Sequence, residues 1–502
     1  MELLDNLGLG FATALSPWNL LYAFVGCLLG TAVGVLPGVG PLATIAMLLP
    51  ITFKVSPEAS IIMLAGIYYG AQYGGSTTAI LINLPGEASS AVTAIDGYQM
   101  ARRGRAGVAL AIAALGSFAA GTIATALIAA FAAPMTALAL TFGPVEYFAL
   151  MTLGLVASIT LATGPVEKAL AMILIGLLLG AVGTDLYSGA ARFTLGLEGL
   201  ADGIPIVAFG AGVYGIAEIL HQLERELSRQ LVVKRISNLL PSLADLKAAA
   251  MPVLRGTALG SLLGVIPGGG PLLAAFGSYA IEKKLSRQPE RFGKGAIEGV
   301  AGPESANNAG AQTSFIPMLT LGIPSNPIMA LMIGAMVIQG IAPGPDFMSK
   351  QPALFWGVIA SMWLGNLMLL VLNLPLVGLW VRLLTVPQHA LFPAIIVFAS
   401  VGVYSLNGNV FDLYVMVLFG FVGYLLTKLG FEPAPLLLGF VLGPMIEEYF
   451  RRAMVISQGD ALVFLQKPVS AVMLAIAAVM LVLTLLPAIA RKREEIFVPD
   501  DR

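Results

Sequence analysis

The sequence predicts an all-α polytopic membrane protein that consists of two inverted repeats with re-entrant helical hairpins and broken helices. Of its 502 residues, 58% are hydrophobic and 11% charged, whereas soluble proteins average about 45–50% and about 25%. The apolar residues form continuous blocks, many long enough to cross a bilayer, without the two-residue alternation of a membrane β-barrel. A Gly-Pro motif also occurs once in each half of the chain.

The composition excludes several classes of protein. A formal net charge of −1 gives no electrostatic reason to bind nucleic acid. The single cysteine, Cys27, rules out an internal disulfide and argues against a thiolate metal site, so neither a metal nor a cofactor is predicted. Only His221 and His389 could serve as a histidine base, and neither lies near a serine candidate, so an enzyme is not predicted. The N-terminus has no positive segment, so we expect no cleaved signal peptide.

An internal repeat supports a duplicated architecture. Residues 34–41 match residues 264–271, with six of eight positions identical. Later matches follow in the same order: Ser117 and Gly121 with Ser361 and Gly365, and Pro205 and Glu218 with Pro435 and Glu448. We therefore predict a first membrane repeat at 1–220, a cytoplasmic linker at 221–255, a second membrane repeat at 256–448, and an extra C-terminal transmembrane helix with a cytoplasmic tail at 449–502.

The charge distribution favours inversion of the second repeat. Most Lys and Arg residues lie in four stretches, 102–105, 225–255, 283–294 and 491–502, which the positive-inside rule places in the cytoplasm. Equivalent loops of the two halves differ in their content of Lys and Arg, as inverted repeats predict. Arg451, Arg452 and Lys467 would lie outside in this arrangement, so parallel repeats are the alternative.

The Gly-Pro motifs at 37–41 and 267–271 each interrupt an apolar run, and the piece that follows is too short to span. Proline lacks an amide proton and glycine adopts unusual backbone angles. In lipid, the freed backbone groups must be satisfied by protein, water or a ligand. A re-entrant hairpin with a binding site fits this pattern, and a tightly packed helix kink is the alternative.

A second pair of breaks is predicted at 74–86 and 307–327, with the first apolar run divided into blocks 57–75 and 76–86. These stretches are the densest polar clusters within apolar sequence. Hydroxyl and amide side chains bind a carboxylate or a cation without carrying charge into the bilayer. The alternative is interhelical packing by small polar residues. The pattern G-x-G-x-x-G at 210–215 lies inside an apolar span, so we assign it to helix packing rather than to a dinucleotide site.

Charged groups are scarce near these clusters. No Lys or Arg occurs between Arg105 and Lys168 or between Lys294 and Lys350, so an anion would be held by helix N-termini and glycine amides. Glu304 is interpreted as a cation ligand or proton carrier, or else as a solvated helix end. Glu87 and Asp96 are predicted to be loop residues.

Two sets of candidate site residues result. The predicted coupling-ion ligands, for Na⁺ or H⁺, are Glu304 and Asn307. The predicted substrate-binding residues are Pro37, Gly38, Val39, Gly40, Gly75, Ser76, Thr77, Thr78, Asn83, Pro85, Gly86, Pro267, Gly268, Gly269, Gly270, Asn308, Gln312, Thr313, Ser314, Gly322, Pro324, Ser325 and Asn326.

From about residue 10 to about residue 490, the chain resembles the large membrane subunit of the tripartite tricarboxylate transporters. The resemblance is carried by GVLPGVGPLATIAMLLPIT, YGGSTTAILINLPGE, GVIPGGGPLLAAFGSYAIEKKLSR and GVAGPESANNAGAQTSFIPMLTLGIPSNP. One departure is Ser325, where the family pattern has glycine.

The resemblance implies a permease of the bacterial inner membrane that imports a tricarboxylate, dicarboxylate or aromatic carboxylate with a Na⁺ or H⁺ gradient. The implied partners are a small membrane subunit, a periplasmic solute-binding protein, the organic carboxylate and the lipid bilayer, with a homodimer left open. An anion channel or other pore is the main alternative, and an intramembrane enzyme or scaffold is the third.

The repeat generates a symmetric prediction. A bulky replacement at Gly38 or Gly40, and equally at Gly268 or Gly270, should abolish transport while membrane insertion stays intact, because each motif needs glycine backbone angles. Uptake assays and membrane fractionation of each variant check this. Normal transport by variants of both motifs would refute the site assignment.

Overall fold

The computed structural model describes residues 2–36, 40–49, 52, 55–161, 164–185, 187–224, 239–266, 268–384, 386 and 388–486, without the side chains of 2, 160, 161 and 388–391. Most of these residues are helical. In the first half the helices are α1 (Glu2–Ala14), α2 (Pro17–Gly34), α3 (Gly40–Leu48), α4 (Pro57–Ile82), α5 (Ala91–Arg102), α6 (Ala106–Ala139), α7 (Pro144–Leu161), α8 (Val166–Gly180), α9 (Ile206–Gly210) and α10 (Ala217–Glu224).

A π-helical turn, Ala211–Ile216, joins α9 and α10 into one rod. The second half contains α11 (Leu243–Val265), α12 (Gly270–Leu285), α13 (Glu298–Thr313), α14 (Phe315–Leu321), α15 (Pro327–Ile338), α16 (Phe347–Lys350), α17 (Pro352–Asn373), α18 (Val377–Leu383), α19 (Gln388–Asn407), α20 (Val410–Lys428), α21 (Pro433–Ile456), α22 (Val463–Gln466) and α23 (Pro468–Leu485). Short 3₁₀ turns lie at Ala88–Ser90, Glu198–Leu200 and Pro289–Arg291, and the strands β1 (Gly183–Thr184) and β2 (Ala191–Arg192) pair antiparallel.

Seven of the described helical segments are long and apolar enough to cross a membrane. They are α2, α6, the rod at 206–224, α11, α17, α20 and α23. These spans confirm the prediction of a polytopic helical membrane protein.

Helix α2 packs tightly on α4 through glycines spaced four residues apart. A Cβ atom placed on Gly30 would lie 2.3 Å from the carbonyl oxygen of Ile67, and one on Gly34 would lie 2.4 Å from that of Ala71. Real side chains do not approach a backbone oxygen so closely, so only glycine permits this contact. The two backbones are in direct contact, as in membrane helix pairs built on small residues.

The same contact recurs in the second half between α11 and α13. A Cβ on Gly260 would lie 2.2 Å from the carbonyl oxygen of Ala306, and one on Gly264 would lie 2.4 Å from that of Gly310. The glycines are shifted by 230 residues from those of α2, and their partners by 239 residues from those of α4. The sequence repeat is therefore also a repeat of three-dimensional contacts.

Two further pairs of helices, each with one helix from either half, also pack together through glycines. In α8, a Cβ on Gly176 would lie 3.0 Å from the Cα of Gly439 in α21. In the rod at 206–224, a Cβ on Gly212 would lie 3.0 Å from the backbone nitrogen of Gly420 in α20. Two helices of the first half, α8 and the rod, thus pack against α21 and α20 of the second half. The glycines of 210–215 serve helix packing. The inverted orientation of the repeats stays a prediction.

Helix α4 is continuous from Pro57 to Ile82, so the predicted break between 75 and 76 is wrong. Gly74 lies inside the helix because α4 approaches α2 there, and its Cβ would lie 2.5 Å from the carbonyl oxygen of Thr31. The helix ends at Asn83, with φ of 57°. The glycines at 74 and 75 therefore indicate close packing, and the break follows them.

The predicted linker at 221–255 overlaps two helices, since α10 ends at Glu224 and α11 begins at Leu243. Ser242 and Asp245 form a capping box at the start of α11. Arg105 forms a 2.5 Å salt bridge with Asp245. This ion pair brings the cationic stretch at 102–105 beside the start of α11. The stretch and the start of this helix therefore lie on the same side of the protein.

A charged network anchors the hairpin of β1 and β2 to α21. Arg451 contacts Asp185 at 2.9 Å and Glu447 at 2.6 Å, and Arg192 contacts Glu447 at 2.7 Å. The backbone amide of Ser188 donates to Asp185, and this bond lowers the pKa of Asp185 well below its usual range. The hairpin is thus held by charges outside the membrane-spanning helices.

The glycine contacts generate a stability prediction. Gly30→Ala and Gly260→Ala should each destabilise the protein by about 1–3 kcal/mol, because the new methyl group forces packed backbones apart. Thermal unfolding of the detergent-purified variants measures the loss. Gly8→Ala is the matched control, since nothing lies within 4 Å of its Cβ position. Equal unfolding temperatures for all three variants would contradict this account.

Candidate functional site

In each half, the start of a short helix lies against a proline-containing break. Gly40 begins α3 with φ of 62°, and its Cβ position is 3.9 Å from the carbonyl oxygen of Gly86. Gly270 begins α12 with φ of 69°, and its Cβ position is 3.7 Å from the Cβ of Asn326. The N-terminus of α3 therefore faces residues near 86, and the N-terminus of α12 faces residues near 326.

The Gly-Pro motif of the second half is hydrogen-bonded through its backbone to the break that follows α14. The amide of Gly268, where φ is 79°, donates to the carbonyl oxygen of Ser325 at 2.7 Å. The amide of Gly269 donates to the carbonyl oxygen of Ile266 at 2.9 Å. Of the other predicted residues in these motifs, Pro37, Gly38, Val39 and Pro267 lie outside the described residues.

The two breaks are built alike. Asn83 directly follows α4 and Gly322 directly follows α14, and both residues are left-handed, with φ of 57° and 71°. A Leu-Pro or Ile-Pro pair then follows, and Pro85 and Pro324 cannot donate a backbone hydrogen bond. A left-handed residue and a proline together end each helix.

The two breaks differ at the second residue after the proline. In the second half Asn326 caps α15: its Oδ1 accepts from the amide of Met329 at 3.0 Å, and its Nδ2 donates to Ser314 at 3.0 Å. In the first half this position is Glu87, which packs over Gly75, whose Cβ position is 2.9 Å from the Cγ of Glu87. One break thus carries a carboxylate and the other a neutral amide.

Seven buried side chains join the two halves beside these breaks, and we call them the polar cluster. They are Gln72, Ser76, Glu87, Ser89 and Thr93 from the first half, and Glu304 and Asn307 from the second.

The carboxylate of Glu304 is the centre of one part of the polar cluster. Ser76 donates to its Oε2 at 2.6 Å, and Thr93 donates to its Oε1. Glu304 lies in the middle of α13 with none of its surface exposed. Its interpretation as a solvated helix end is therefore wrong.

The carboxylate of Glu87 is the centre of the other part. Its Oε1 accepts from Ser89 at 2.5 Å and from Nδ2 of Asn307 at 2.8 Å. Ser89 also lies 3.4 Å from Oε1 of Gln72. Glu87 is outside the helices, as predicted for a loop residue, but it is buried.

The polar cluster is rich in oxygen acceptors and poor in positive charge. Oδ1 of Asn307 is buried and accepts no hydrogen bond from any described residue. Among the described residues, neither Glu87 nor Glu304 forms a salt bridge with a Lys, Arg or His. An ionised group inside a bilayer costs about 2.5–3.5 kcal/mol or more. This arrangement is suited to a small cation or to protons.

Several predicted residues hold α13 against α6. Nδ2 of Asn308 donates to Ser117 at 2.7 Å, and Thr125 donates to Oε1 of Gln312 at 2.5 Å. Ser76 and Ser117 also line a small cleft, together with Tyr73, Thr77, Leu110, Ala113, Ala114 and Asn373. The predicted Thr77 and Ser76, of which Ser76 donates to Glu304, therefore border this cleft.

Other predicted hydroxyl groups are bonded to the backbone of their own helix. Thr78 donates to the carbonyl oxygen of Gly75 at 3.0 Å, Thr313 to that of Ala309 at 2.9 Å, and Ser314 to that of Gly310 at 2.6 Å. Such bonds are common for Ser and Thr within helices. Asn83 is exposed at the end of α4, so these residues do not join the polar cluster.

The loop prediction for Asp96 is wrong, because it is buried on α5. Its Oδ1 accepts from the amides of Gly295 and Ala296 at 2.6 and 2.8 Å, and Tyr279 donates to its Oδ2 at 2.9 Å. It therefore pins the segment before α13. Asp96 supports α13 from outside the polar cluster.

Sequence reasoning missed Gln72, Ser89, Thr93 and Thr125. Ser89 and Thr93 stand in the polar run that follows Pro85, which was an available signal. Gln72 and Thr125 are single polar residues in apolar helices, and their partners come from distant parts of the chain. No local pattern could have assigned those partners.

Broken helices with buried acidic and amide groups beside them are typical of membrane transport proteins. The chain belongs to the tripartite tricarboxylate transporter TctA family, whose family model matches residues 20–438.

Two curated relatives from Agrobacterium vitis are similar to this chain. One, an uncharacterized 52.8 kDa protein in the TAR-I ttuC′ 3′ region, is 63% identical over 501 residues and covers 100% of both chains. The other, an uncharacterized protein in the TAR-II ttuC′ 3′ region, is 63% identical over 242 residues, which are 48% of this chain and 100% of the relative. No solved structure matches the chain.

Replacing the small residue that directly follows the proline should affect stability and uptake differently in the two breaks. Gly86→Ser should impair both folding stability and uptake, because a Cβ on Gly86 would lie 2.1 Å from the carbonyl oxygen of Gly34. Ser325→Gly is the matched control and should retain both, since its hydroxyl makes only a 3.4 Å contact with the carbonyl oxygen of Ser314. Thermal unfolding and uptake assays test the pair. A tolerant Gly86→Ser protein would show that the close approach is not required.

Proposed function

We propose that this chain is the large permease subunit of a binding-protein-dependent tripartite system that imports an organic carboxylate through the bacterial inner membrane. The uptake is driven by a Na⁺ or H⁺ gradient. The observation that carries this proposal is the polar cluster, in which two buried carboxylates lie between the halves beside two broken helices. Membership in a tripartite transporter family supports the two partners, a small membrane subunit and a periplasmic solute-binding protein.

The substrate carboxylate is proposed to bind at the starts of α3 and α12. Each helix N-terminus carries roughly half a positive charge and free amide groups. Gly40 and Gly270 bring these termini against the two breaks without side chains in the way. A tricarboxylate, a dicarboxylate or an aromatic carboxylate satisfies such amides, and the ligand of the partner binding protein would identify which is carried.

The coupling ion is proposed to bind at Glu304 and Asn307, with Glu87 as a further ligand. The oxygens of these three side chains come from both halves and lie in a site without a basic partner among the described residues. A cation there neutralises carboxylate charge that the bilayer disfavours. Because the ion contacts both halves, its binding favours one arrangement of the halves over another, which is what coupling requires.

Reconstitution tests the proposed function. Proteoliposomes with the permease, its small membrane subunit and the binding protein should accumulate a di- or tricarboxylate only when a Na⁺ or H⁺ gradient is imposed. Gradient-independent equilibration would contradict coupling. Single-channel currents from the purified protein would identify it as a pore instead.

Neutralising either buried carboxylate should uncouple uptake from the gradient. We expect Glu304→Gln and Glu87→Gln to lower gradient-driven uptake about tenfold or more, since each removes a charged ligand worth about 1.5–3 kcal/mol. Initial rates at several cation concentrations measure the effect. Glu290→Gln, a change at an exposed loop acid, is the control, and unchanged gradient dependence in both cluster variants would refute the ion assignment.

A further inference from the structure

A groove lies outside the polar cluster, between the first turns of α11, the end of α12 and the start of α13. Its walls include Met251 and Arg255 from α11, Leu285 from α12, Arg287 and Arg291 from the connecting segment, and Glu298 from α13. None of these residues is a predicted site residue of the transporter. The groove therefore needs its own explanation.

The positive charge of the groove is only partly neutralised. Arg255 donates to Glu282 through Nε at 2.7 Å and through Nη2 at 2.5 Å, which satisfies that carboxylate. Arg287 is exposed, and Arg291 reaches Oε1 of Glu298 only at 3.5 Å. Two guanidinium groups thus have donors available for an anion.

The same groove holds an acceptor that lacks a donor. Oε2 of Glu298 is buried and accepts no hydrogen bond from any residue that the structure describes. A ligand that satisfies the groove must therefore supply a hydrogen-bond donor to Glu298 as well as an anion to the arginines. A simple anion meets only half of this requirement.

The walls of the groove continue into an apolar surface. Met251 is 55% exposed and Leu285 is 60% exposed. Below them, Leu254 and Leu262 are exposed along α11, which is long and apolar enough to span the membrane. A ligand with apolar chains would cover this surface while its polar end occupied the groove.

We propose that the groove binds the headgroup of a zwitterionic aminophospholipid with a primary ammonium, such as phosphatidylethanolamine. The phosphate contacts Arg287 and Arg291, the ammonium pairs with the carboxylate of Glu298, whose side chain is 21% exposed, and the acyl chains lie along Leu254 and Leu262. Basic pockets at the ends of membrane helices commonly bind lipid headgroups. A quaternary ammonium has no N–H to donate, so phosphatidylcholine leaves Glu298 unsatisfied. The hydroxyl groups of phosphatidylglycerol can donate to Glu298, but they supply no positive charge to pair with its carboxylate.

Native mass spectrometry of the purified full-length chain tests this proposal without any transport assay, so its outcome is independent of the proposed function. The probes are phosphatidylethanolamine, phosphatidylcholine and phosphatidylglycerol with the same acyl chains, and inorganic phosphate alone. We expect phosphatidylethanolamine to bind about tenfold more tightly than phosphatidylcholine, the difference made by one charged hydrogen bond.

Two variants assign the contacts. Glu298→Gln should remove the advantage of phosphatidylethanolamine over phosphatidylcholine, whereas Arg287→Ala should weaken all three phospholipids. Arg102→Ala, a change at an exposed arginine outside the groove, should change nothing. Size-exclusion chromatography confirms that each variant is folded.

Three results would overturn the proposal. The first is equal binding of phosphatidylethanolamine and phosphatidylcholine by the unmodified chain. The second is an unchanged lipid preference in Glu298→Gln. The third is displacement of the lipid by inorganic phosphate at equal concentration, which would show a site for free anions.

Discussion

The rest of the structure depends on the backbone contact that glycine allows between α2 and α4, and between α11 and α13. Lipid supplies no hydrophobic force between helices, so close packing has to hold them together. A Cβ at Gly30 or Gly260 would lie within 2.3 Å of a carbonyl oxygen of the facing helix. These contacts bring the ends of α2 and α11 beside the breaks that follow α4 and α14.

The backbone groups freed at each break need hydrogen-bond partners. A backbone group without a partner is not tolerated in lipid, and here the amide of Gly268 bonds to Ser325 across the break. The two halves carry different side chains at the equivalent position of the break. Asn326 caps a helix in the second half, whereas Glu87 in the first half turns toward Asn307 and so joins the halves.

This difference makes the two halves of the repeat chemically unequal. Both carboxylates of the polar cluster, Glu87 and Glu304, lie between the halves, and hydroxyl groups donate to each of them. Low overall charge is typical of a membrane protein, but acids that are buried without a basic partner in the described part of the chain are costly. They are the two acids at which we propose that the coupling cation or proton binds.

Much of the architecture could be predicted from local patterns. Continuous apolar blocks identified the membrane helices, and glycine and proline identified where two of them end, because these residues act on their own backbone. Gly74 and Gly75 led to the wrong prediction of a break. In a sequence, a glycine that permits close helix packing looks the same as a glycine that breaks a helix. Only the position of α2 against Gly74 distinguishes the two cases.

Local sequence patterns were enough to assign the membrane class, the repeat and the positions of the Gly-Pro motifs, because hydropathy and backbone preference are properties of short segments. Which side chains meet depends instead on how the helices pack. Glu304 accepts from Ser76 and Thr93, each more than 200 residues away along the chain. No periodicity encodes such a pair, since it arises only when α4, α5 and α13 pack together.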